Sequence, residues 1–401
     1  MINNLQKLKT ELENELTRLL DYWSHEAIDF KNGGFIGRIK NGGVKDWDSE
    51  KGMVLNARIL WTFSSAYRVT QLTKYKEIAK KAYEYLMKYF WDTEYGGFIW
   101  SVTNSGLPLN ERKQTYAQGF GVYALSEYYR ATGDEESLSY ACKTFVLIEE
   151  RCRDEKFGGY IEAFDKSWSV LEDMRLSVKD DNTPKSMNTH LHILEPYTNL
   201  YRIWPNKKLK ERIVNLLGLF ENNIVDPESG HFNLFFSMDW SVQSTAVSYG
   251  HDIEGAWLLH EAAQEIKDEN LINDIQKTAL RLVDITIKEG TDSDGSVFYE
   301  KDNGDLDTEK HWWPQAEAMV GLYDAWEIEP KQIYQDHIFK VWEFIKTNLM
   351  DLEYGEWYWS VDEKGLPNEN EDKVGFWKCP YHNTRALIEL FERINKQGSD
   401  L

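Results

Sequence analysis

The 401-residue sequence predicts an all-α fold, an (α/α)6 barrel with short β-hairpins between its helix pairs, in a single domain over residues 1–401. Three observations predict this fold. Six short segments rich in glycine and aromatic residues recur along the chain, stretches of helical periodicity separate them, and the first and last units are as apolar and aromatic as the middle ones.

The recurring segments are predicted β-hairpins. The clearest copies read NGGFIGRIKNGG, YGGFIWSVTNSGLP, FGGYIEAFDKSW and YGEWYWSVDEKGLP, and two degenerate copies read SGHFNLFFSMDWS and DGSVFYEKDNGDLD. Gly, Asn and Asp at the tip of a strand–turn–strand unit are the expected turn chemistry. The marker glycines are Gly33, Gly96, Gly158, Gly230, Gly295 and Gly355.

Two helices are predicted for each hairpin. Stop and start signals support them, as where Gly133 ends one predicted helix and Asp134 caps the next. The predicted helices span residues 3–22, 52–69, 73–90, 112–131, 135–152, 185–203, 206–224, 250–265, 268–289, 313–328, 331–349 and 381–396.

Six helix pairs can form either an open superhelix or a closed ring. An open superhelix needs polar capping repeats at its ends, and the terminal units here are not polar. The sequence therefore favours the ring, with the helix after each hairpin inside and the next helix outside. An open solenoid is the alternative.

Composition narrows the class of protein. A formal net charge of -21 disfavours nucleic acid and polyanionic substrates, since binding to them needs clustered Lys and Arg. Cys142, Cys152 and Cys379 are too few and too scattered for a disulfide framework or a zinc cage, so we expect free thiols. Because no apolar run approaches the roughly 18 residues of a membrane span, we expect a cytoplasmic protein without membrane contact, as a monomer or weak homodimer.

The starts of the predicted inner helices converge on one mouth of the barrel, and unusual polar and aromatic residues collect there. Each repeat contributes one candidate at a comparable distance from its marker glycine. The candidates are Arg58, Tyr116, Asn188, His251, Trp313 and His382.

Helical spacing indicates how some of these residues are oriented. His251 and Glu254 stand three apart and share a helix face with Trp257, so Glu254 is expected to fix the tautomer of the imidazole, while Asp252 caps the helix. His190 and His192 cannot face the same way, so one points inward. Trp377, on the loop before His382, is either a platform for a sugar ring or ordinary packing.

Several chemistries lack support in the sequence. The His and carboxylate residues do not reproduce the spacings of known metal sites, so no metal is expected. No nucleotide-binding loop and no nucleophile elbow occur, so no cofactor is expected.

Two reaction classes on a sugar remain open. A glycoside hydrolase needs a carboxylate pair, which Glu254, Glu317 and Asp180 can supply. An epimerase or isomerase removes a proton beside a carbonyl, which calls for bases of near-neutral pKa such as histidine. Inversion at C2 needs two such groups, and His251 and His382 fit, with Arg58 stabilising the enediolate.

The motifs NTHLH, GHDIE, WWPQAE and PYHNTR, with Arg58 in NARILW, resemble the cellobiose 2-epimerases of the N-acylglucosamine 2-epimerase superfamily over essentially the whole chain. The resemblance implies a β-1,4-linked disaccharide such as cellobiose, converted reversibly to glucosyl-mannose, with His251 and His382 as general acid and base. It implies that the remaining catalytic-centre residues are Arg58, Asn188, His192 and Glu254. It implies sugar contacts at Tyr116, Asp180, Trp257, Trp313, Glu317 and Trp377. A monosaccharide epimerase or isomerase acting on N-acetylglucosamine or mannose is the runner-up, ahead of a non-catalytic sugar-binding protein.

Overall fold

The computed structural model describes residues 2–399. Residues 1, 400 and 401, which include both ends of the predicted domain, lie outside the described residues. Within residues 2–399 the chain forms twelve α-helices, and nine of them begin and end within three residues of the predicted bounds. The fifth, seventh and eleventh end five residues early, and a π-helical turn continues each to the predicted end, over Ile148–Cys152, Phe220–Ile224 and Ile345–Leu349. Asp134 caps the fifth helix by accepting from the Ser137 amide, as predicted, and Gly133 ends the fourth in the left-handed region at φ 73°. The helices are α1 Ile2–His25, α2 Met53–Thr70, α3 Thr73–Tyr89, α4 Thr115–Thr132, α5 Glu135–Leu147, α6 Met187–Ile203, α7 Lys207–Leu219, α8 Tyr249–Ile266, α9 Glu269–Glu289, α10 Trp312–Ile328, α11 Gln332–Phe344 and α12 Tyr381–Ser399.

The even-numbered helices form a closed inner ring. Each packs against the next, from α2 through α4, α6, α8 and α10 to α12, and α12 packs against α2. The first helix, α1, pairs with α12 on the outside, so the two ends of the chain complete the sixth helix pair. The closed (α/α)6 barrel is confirmed, and the open solenoid is not formed.

Sequence pattern explains which helices lie inside. On α2, residues 53–66 are buried without interruption, because the helix is enclosed by the barrel axis on one side and the outer layer on the other. On the outer helix α3, buried residues recur at intervals of three or four, as at Tyr75, Ile78, Ala79 and Ala82. Among residues 2–399, no helix is long and apolar enough to cross a membrane.

Short strands between the helices link neighbouring repeats. A strand that precedes an inner helix pairs antiparallel with a strand of the next repeat, and β14 pairs with β1 to close the circle. All six marker glycines have positive φ, between 72° and 105°, which is the turn conformation predicted for them. The strands are β1 Arg38–Lys40, β2 Lys45–Asp46, β3 Lys51–Gly52, β4 Ser101–Val102, β5 Pro108–Asn110, β6 Lys113–Gln114, β7 Ala163–Phe164, β8 Lys185–Ser186, β9 Phe235–Phe236, β10 Glu300–Asp302, β11 Asp305–Asp307, β12 Lys310–His311, β13 Ser360–Val361 and β14 Asp372–Val374.

Lysine–aspartate pairs fix the start of most inner helices. In five repeats a buried lysine on the strand leading to the inner helix contacts an aspartate in the turn of the marker glycine, at 2.7–2.9 Å. Each pair holds the turn against the strand and so sets the position of the helix start. The pairs are Lys51–Asp29, Lys113–Asp92, Lys185–Asp154, Lys310–Asp292 and Lys373–Asp351.

Candidate active site

The predicted site residues lie in two layers at one end of the inner ring. Tyr116, Asn188, His251, Trp313 and His382 occupy the first turn of their helices. Arg58 was expected at the same level, and that expectation is wrong. It is the sixth residue of α2 and lies one turn deeper, as do the sixth residues of α6, α8 and α10, which are His192, Glu254 and Glu317.

His382 is backed by a carboxylate. Its Nδ1 lies 2.6 Å from Glu317 Oε1 and 3.8 Å from Glu254 Oε1. Since a carboxylate accepts hydrogen bonds, the Nδ1–H tautomer is favoured and Nε2 carries the lone pair. Burial, with the nearby charges of Arg58 and Arg385, lowers the pKa of His382 well below its usual value, so the ring is neutral at rest.

Arg385 bonds the carboxylates that lie next to His382. Its Nη2 donates to Glu254 Oε1 and Glu317 Oε1, both at 2.6 Å. Its Nη1 contacts Glu195 and the Tyr381 hydroxyl. All of these side chains are buried. A single guanidinium therefore contacts three buried carboxylates.

The charges on those carboxylates differ. Burial opposes the charge on Glu195, but Arg385 and His192 outweigh burial and lower its pKa to about 2. Burial and the neighbouring charge of Glu317 raise the pKa of Glu254 to about 7. Among the described residues, Glu254 Oε2 has no hydrogen-bond partner. Burial also raises the pKa of Glu317, against the opposing charge of Arg385. Glu254, with a pKa near neutrality, can therefore gain or lose a proton near neutral pH.

His251 is held by a hydroxyl rather than a carboxylate. Its Nδ1 lies 2.8 Å from Ser248 Oγ, while Glu254 turns towards Arg385, so the expectation that Glu254 fixes the tautomer of His251 is wrong. Asp252 does not cap α8 either, because its carboxylate accepts from the Phe232 amide and contacts His231 Nδ1. Burial, then the charge of His192, lowers the pKa of His251 to about 3.

His192 belongs to a second carboxylate–histidine pair. Its Nδ1 lies 3.1 Å from Glu195 Oε2, and its Nε2 lies 4.0 Å from Glu254 Oε2. The sequence signal for this pair is the H-x-x-E spacing of His192 and Glu195, which places both on one helix face. Glu195 was not predicted as a site residue.

His190 faces the other way, as its spacing from His192 predicts. Its Nδ1 lies 2.7 Å from the Ser186 carbonyl oxygen, and its Nε2 accepts from the Tyr160 amide at 2.9 Å. Nδ1 is therefore the protonated nitrogen, and a second proton would break the bond from Tyr160. His190 is a structural residue that must stay neutral.

This geometry predicts a pH dependence of stability. Burial lowers the pKa of His190 to about 4, whereas histidine in an unfolded chain titrates near ~6.5. Between these values the unfolded chain binds a proton that the folded protein does not, so the free energy of unfolding falls as pH drops. We expect His190→Gln to reduce the loss of stability between pH 7 and pH 5 by about 2 kcal/mol, as measured by urea unfolding.

His231 provides a control of opposite sign. Burial lowers the pKa of His231, but Asp252 and Glu289 outweigh burial and raise it. The wild-type ring therefore contributes stability at low pH that is lost as pH rises through its folded pKa. We expect His231→Gln to steepen the loss on acidification. An unchanged slope in the His190 variant would contradict the prediction.

Arg58 is a buried cation among aromatic rings. It donates to the Tyr116 hydroxyl at 2.8 Å, its guanidinium lies 4.2 Å from the Phe120 ring centre and 4.6 Å from that of Tyr381, and Cys379 Sγ lies 3.8 Å away. Among the described residues it makes no salt bridge to a carboxylate, and its Nε has no partner. This positive charge is therefore available to an anion that forms nearby.

Aromatic rings separate and frame the two histidines. The Trp313 ring centre lies 4.7 Å from that of His251 and 5.7 Å from that of His382. On the other side of the mouth, the ring centres of Trp377 and Tyr116 lie 6.0 Å apart. Trp257 is buried and donates to Glu317 Oε2 at 3.1 Å, so in this structure it supports the carboxylate behind His382.

A cavity of about 210 Å³ opens beside His251. Asp180 lines it from the loop before β8, where its carboxylate accepts from the Ser177 amide and burial raises its pKa. Asn188 lines it from α6, and its buried Oδ1 has no partner among the described residues. Ser248 also reaches the cavity. Polar groups therefore collect on this wall, and among the described residues the Asn188 Oδ1 is left without a partner.

Glu254, Glu317 and His382 are the described residues whose ligand atoms come close enough to hold a metal ion, within 4.8 Å of one another. Arg385 donates to an oxygen of both carboxylates. A positive charge thus already occupies the position that a metal would take, and the residues fit a guanidinium better than an ion.

Comparison with known proteins gives consistent matches. A family model described as N-acylglucosamine 2-epimerase (GlcNAc 2-epimerase) matches residues 34–386. A cellobiose 2-epimerase of Bacteroides fragilis is 48% identical over 96% of this chain and 98% of its own, and one of Dictyoglomus turgidum is 38% identical over 98% and 100%. The structure of cellobiose 2-epimerase from Bacillus thermoamylovorans matches with a TM-score of 0.94 at 38% identity, over 97% of this chain and 100% of that one. These relatives and this structure each match at least 96% of the chain.

Proposed function

The chain belongs to the N-acylglucosamine 2-epimerase family, and from this membership we propose that it is a cellobiose 2-epimerase. The reaction is the reversible inversion of C2 in the reducing-end sugar of β-1,4-linked disaccharides, which converts cellobiose to 4-O-β-D-glucopyranosyl-D-mannose. The substrate assignment is supported by the relatives of that name at 48% and 38% identity across the chain.

The observation that carries the chemistry is the pair of histidines on the two sides of Trp313. Each has its Nδ1 engaged, by Ser248 in His251 and by Glu317 in His382, so Nε2 is the nitrogen left to exchange a proton with the substrate. The lowered pKa of both rings leaves a neutral ring free to accept a proton and makes an imidazolium formed on either ring a ready proton donor.

Inversion follows from the use of both rings. After the sugar ring opens, one imidazole removes the C2 proton, and the electron pair forms a C1–C2 double bond with negative charge on O1. The other ring enters this step as an imidazolium, donates its Nε2 proton to the opposite face of C2 and becomes neutral. The first ring is then the protonated one, and the roles exchange in the reverse direction. Glu317 stabilises the imidazolium that forms at His382, and the unpaired guanidinium of Arg58 stabilises the enediolate oxygen.

The other site residues support this arrangement. We propose that His192, Glu254 and Asn188 complete the catalytic centre, and that Tyr116, Asp180, Trp313 and Trp377 contact the sugars. Trp257 and Glu317 act from behind His382, as their hydrogen bond indicates.

The carboxylate geometry disfavours a glycoside hydrolase. Glu254 and Glu317 turn onto the same guanidinium and are fully buried, whereas a hydrolase places its two carboxyl groups on either side of the scissile bond.

Incubation with cellobiose in deuterated water, followed by NMR, tests the proposal. Epimerisation produces a mannose-type reducing end with deuterium at C2. Free glucose would indicate hydrolysis, and an unchanged sugar would indicate a binding protein. The same assay with mannose and N-acetylglucosamine tests the monosaccharide alternative, which requires a higher kcat/KM for one of them than for cellobiose.

A further inference from the structure

Ser248 occupies the N-cap position of α8, yet its side chain does not cap the helix. Serine at this position normally accepts from an amide of the first turn, and that bond contributes about 1 kcal/mol. Ser186, at the equivalent position of α6, makes the bond by accepting from the Thr189 amide. In Ser248 the hydroxyl instead lies 2.8 Å from His251 Nδ1.

The Ser248 hydroxyl is the polar partner of His251, although the sequence predicts a carboxylate there. Glu254 is three residues further along α8, but its oxygens are directed at Arg385 and towards His192. Asp252 is occupied by His231 and the Phe232 amide. Both acids near His251 in sequence are therefore committed elsewhere.

A hydroxyl and a carboxylate affect an imidazole differently. Either can accept from Nδ1–H and leave the lone pair on Nε2, but a hydroxyl can also donate to an unprotonated Nδ1, which a carboxylate cannot do. A carboxylate also stabilises the imidazolium and so raises its basicity, whereas a neutral hydroxyl fixes the ring without adding charge. His382 has a carboxylate partner, Glu317, whereas His251 has a hydroxyl partner, Ser248.

We propose that Ser248 is a positioning residue whose hydroxyl accepts from Nδ1–H of His251 and so holds the ring in the tautomer with the lone pair on Nε2. The inference rests on the proposed function, because its readout is proton exchange at C2. The Ser248 hydroxyl contacts His251 in place of a capping bond to the first turn of α8. Its expected effect is therefore on the position of the ring rather than on the stability of the helix.

Three variants test the role, with kcat, KM and the pH profile of deuterium exchange at C2 measured for each. We expect Ser248→Ala to lower kcat by up to about 100-fold with KM nearly unchanged, since misplacing a reacting group by about 1 Å carries a factor of that size. Ser248→Thr, which keeps the hydroxyl, should retain most activity. Ser248→Asp should shift the acidic limb of the pH profile upwards, because a carboxylate raises the pKa of the imidazole.

Asp134→Ala is the matched control, because Asp134 caps the outer helix α5 through its side chain. It should lose about 1 kcal/mol of stability with unchanged kcat, whereas Ser248→Ala should keep its stability and lose activity. A Ser248→Ala enzyme with wild-type kcat and pH profile would overturn the inference. If the wild-type protein itself exchanged no proton at C2, the proposed function would fall instead.

Discussion

Replacing His382 with asparagine is expected to lower kcat for C2 proton exchange by about 10²–10⁴-fold, the usual contribution of a general acid or base. Asparagine is chosen because its amide nitrogen can take the place of Nδ1 and keep the bond to Glu317 Oε1, which is 2.6 Å long in the wild type. The variant therefore loses the proton-accepting nitrogen and little else. The measurement is deuterium incorporation into cellobiose under saturating substrate.

The control is His337→Asn on the outer helix α11, where the ring bonds only the Ile333 carbonyl of its own helix among the described residues. It should leave kcat unchanged. If His382→Asn turned over within a few-fold of wild type, the two-histidine mechanism would be wrong, whatever its effect on KM.

The helices and their order could be predicted from the sequence because their signals are local. Asp134 caps α5 through a contact three residues away, and Gly133 ends α4 through its own backbone conformation. Ring closure followed from the apolar character of the terminal units. In the structure it is completed by α12 packing on α2 and by β14 pairing with β1.

The depth of each site residue could not be predicted from the marker glycines. The loops between glycine and helix differ in length, so Arg58 appeared level with His251 although it lies a turn deeper. The strand lysines are a better reference, because Lys51, Lys185 and Lys310 each stand seven residues before the deep-layer residue of their repeat. The seven-residue spacing can be read from the sequence. That it marks the depth of a residue becomes clear only once the strand pairing is known.

The partners of the histidines depend on tertiary structure. Helical spacing put His251 and Glu254 on one face of α8, yet Glu254 bonds Arg385, which comes from α12. The choice of Ser248 between capping α8 and holding His251 likewise depends on where the ring turns. Local patterns predict which residues share a face, whereas charges from other helices decide which of them bond.

Arg385→Met is expected to destabilise the protein by about 3–5 kcal/mol, the usual cost of leaving buried charge uncompensated. Methionine fills much of the same space against Trp257, whose ring centre lies 4.8 Å from the guanidinium. The loss of stability therefore measures the effect of the removed charge rather than the effect of a cavity. Glu195, Glu254 and Glu317 would remain buried with no guanidinium between them, and urea unfolding would measure the change.

The pH dependence of this loss separates charge from packing. With Arg385 removed, the three carboxylates take up protons more readily, so the difference from wild type should shrink as pH falls from 8 to 5. Adding Glu195→Gln, which removes one of the carboxylates, should recover part of the stability at pH 8. The control Arg153→Met, which breaks an exposed pair with Glu155, should change stability by less than about 1 kcal/mol. A loss in Arg385→Met that did not vary with pH would show that Arg385 stabilises the barrel by packing, and its assignment as the counter-charge of the three carboxylates would be wrong.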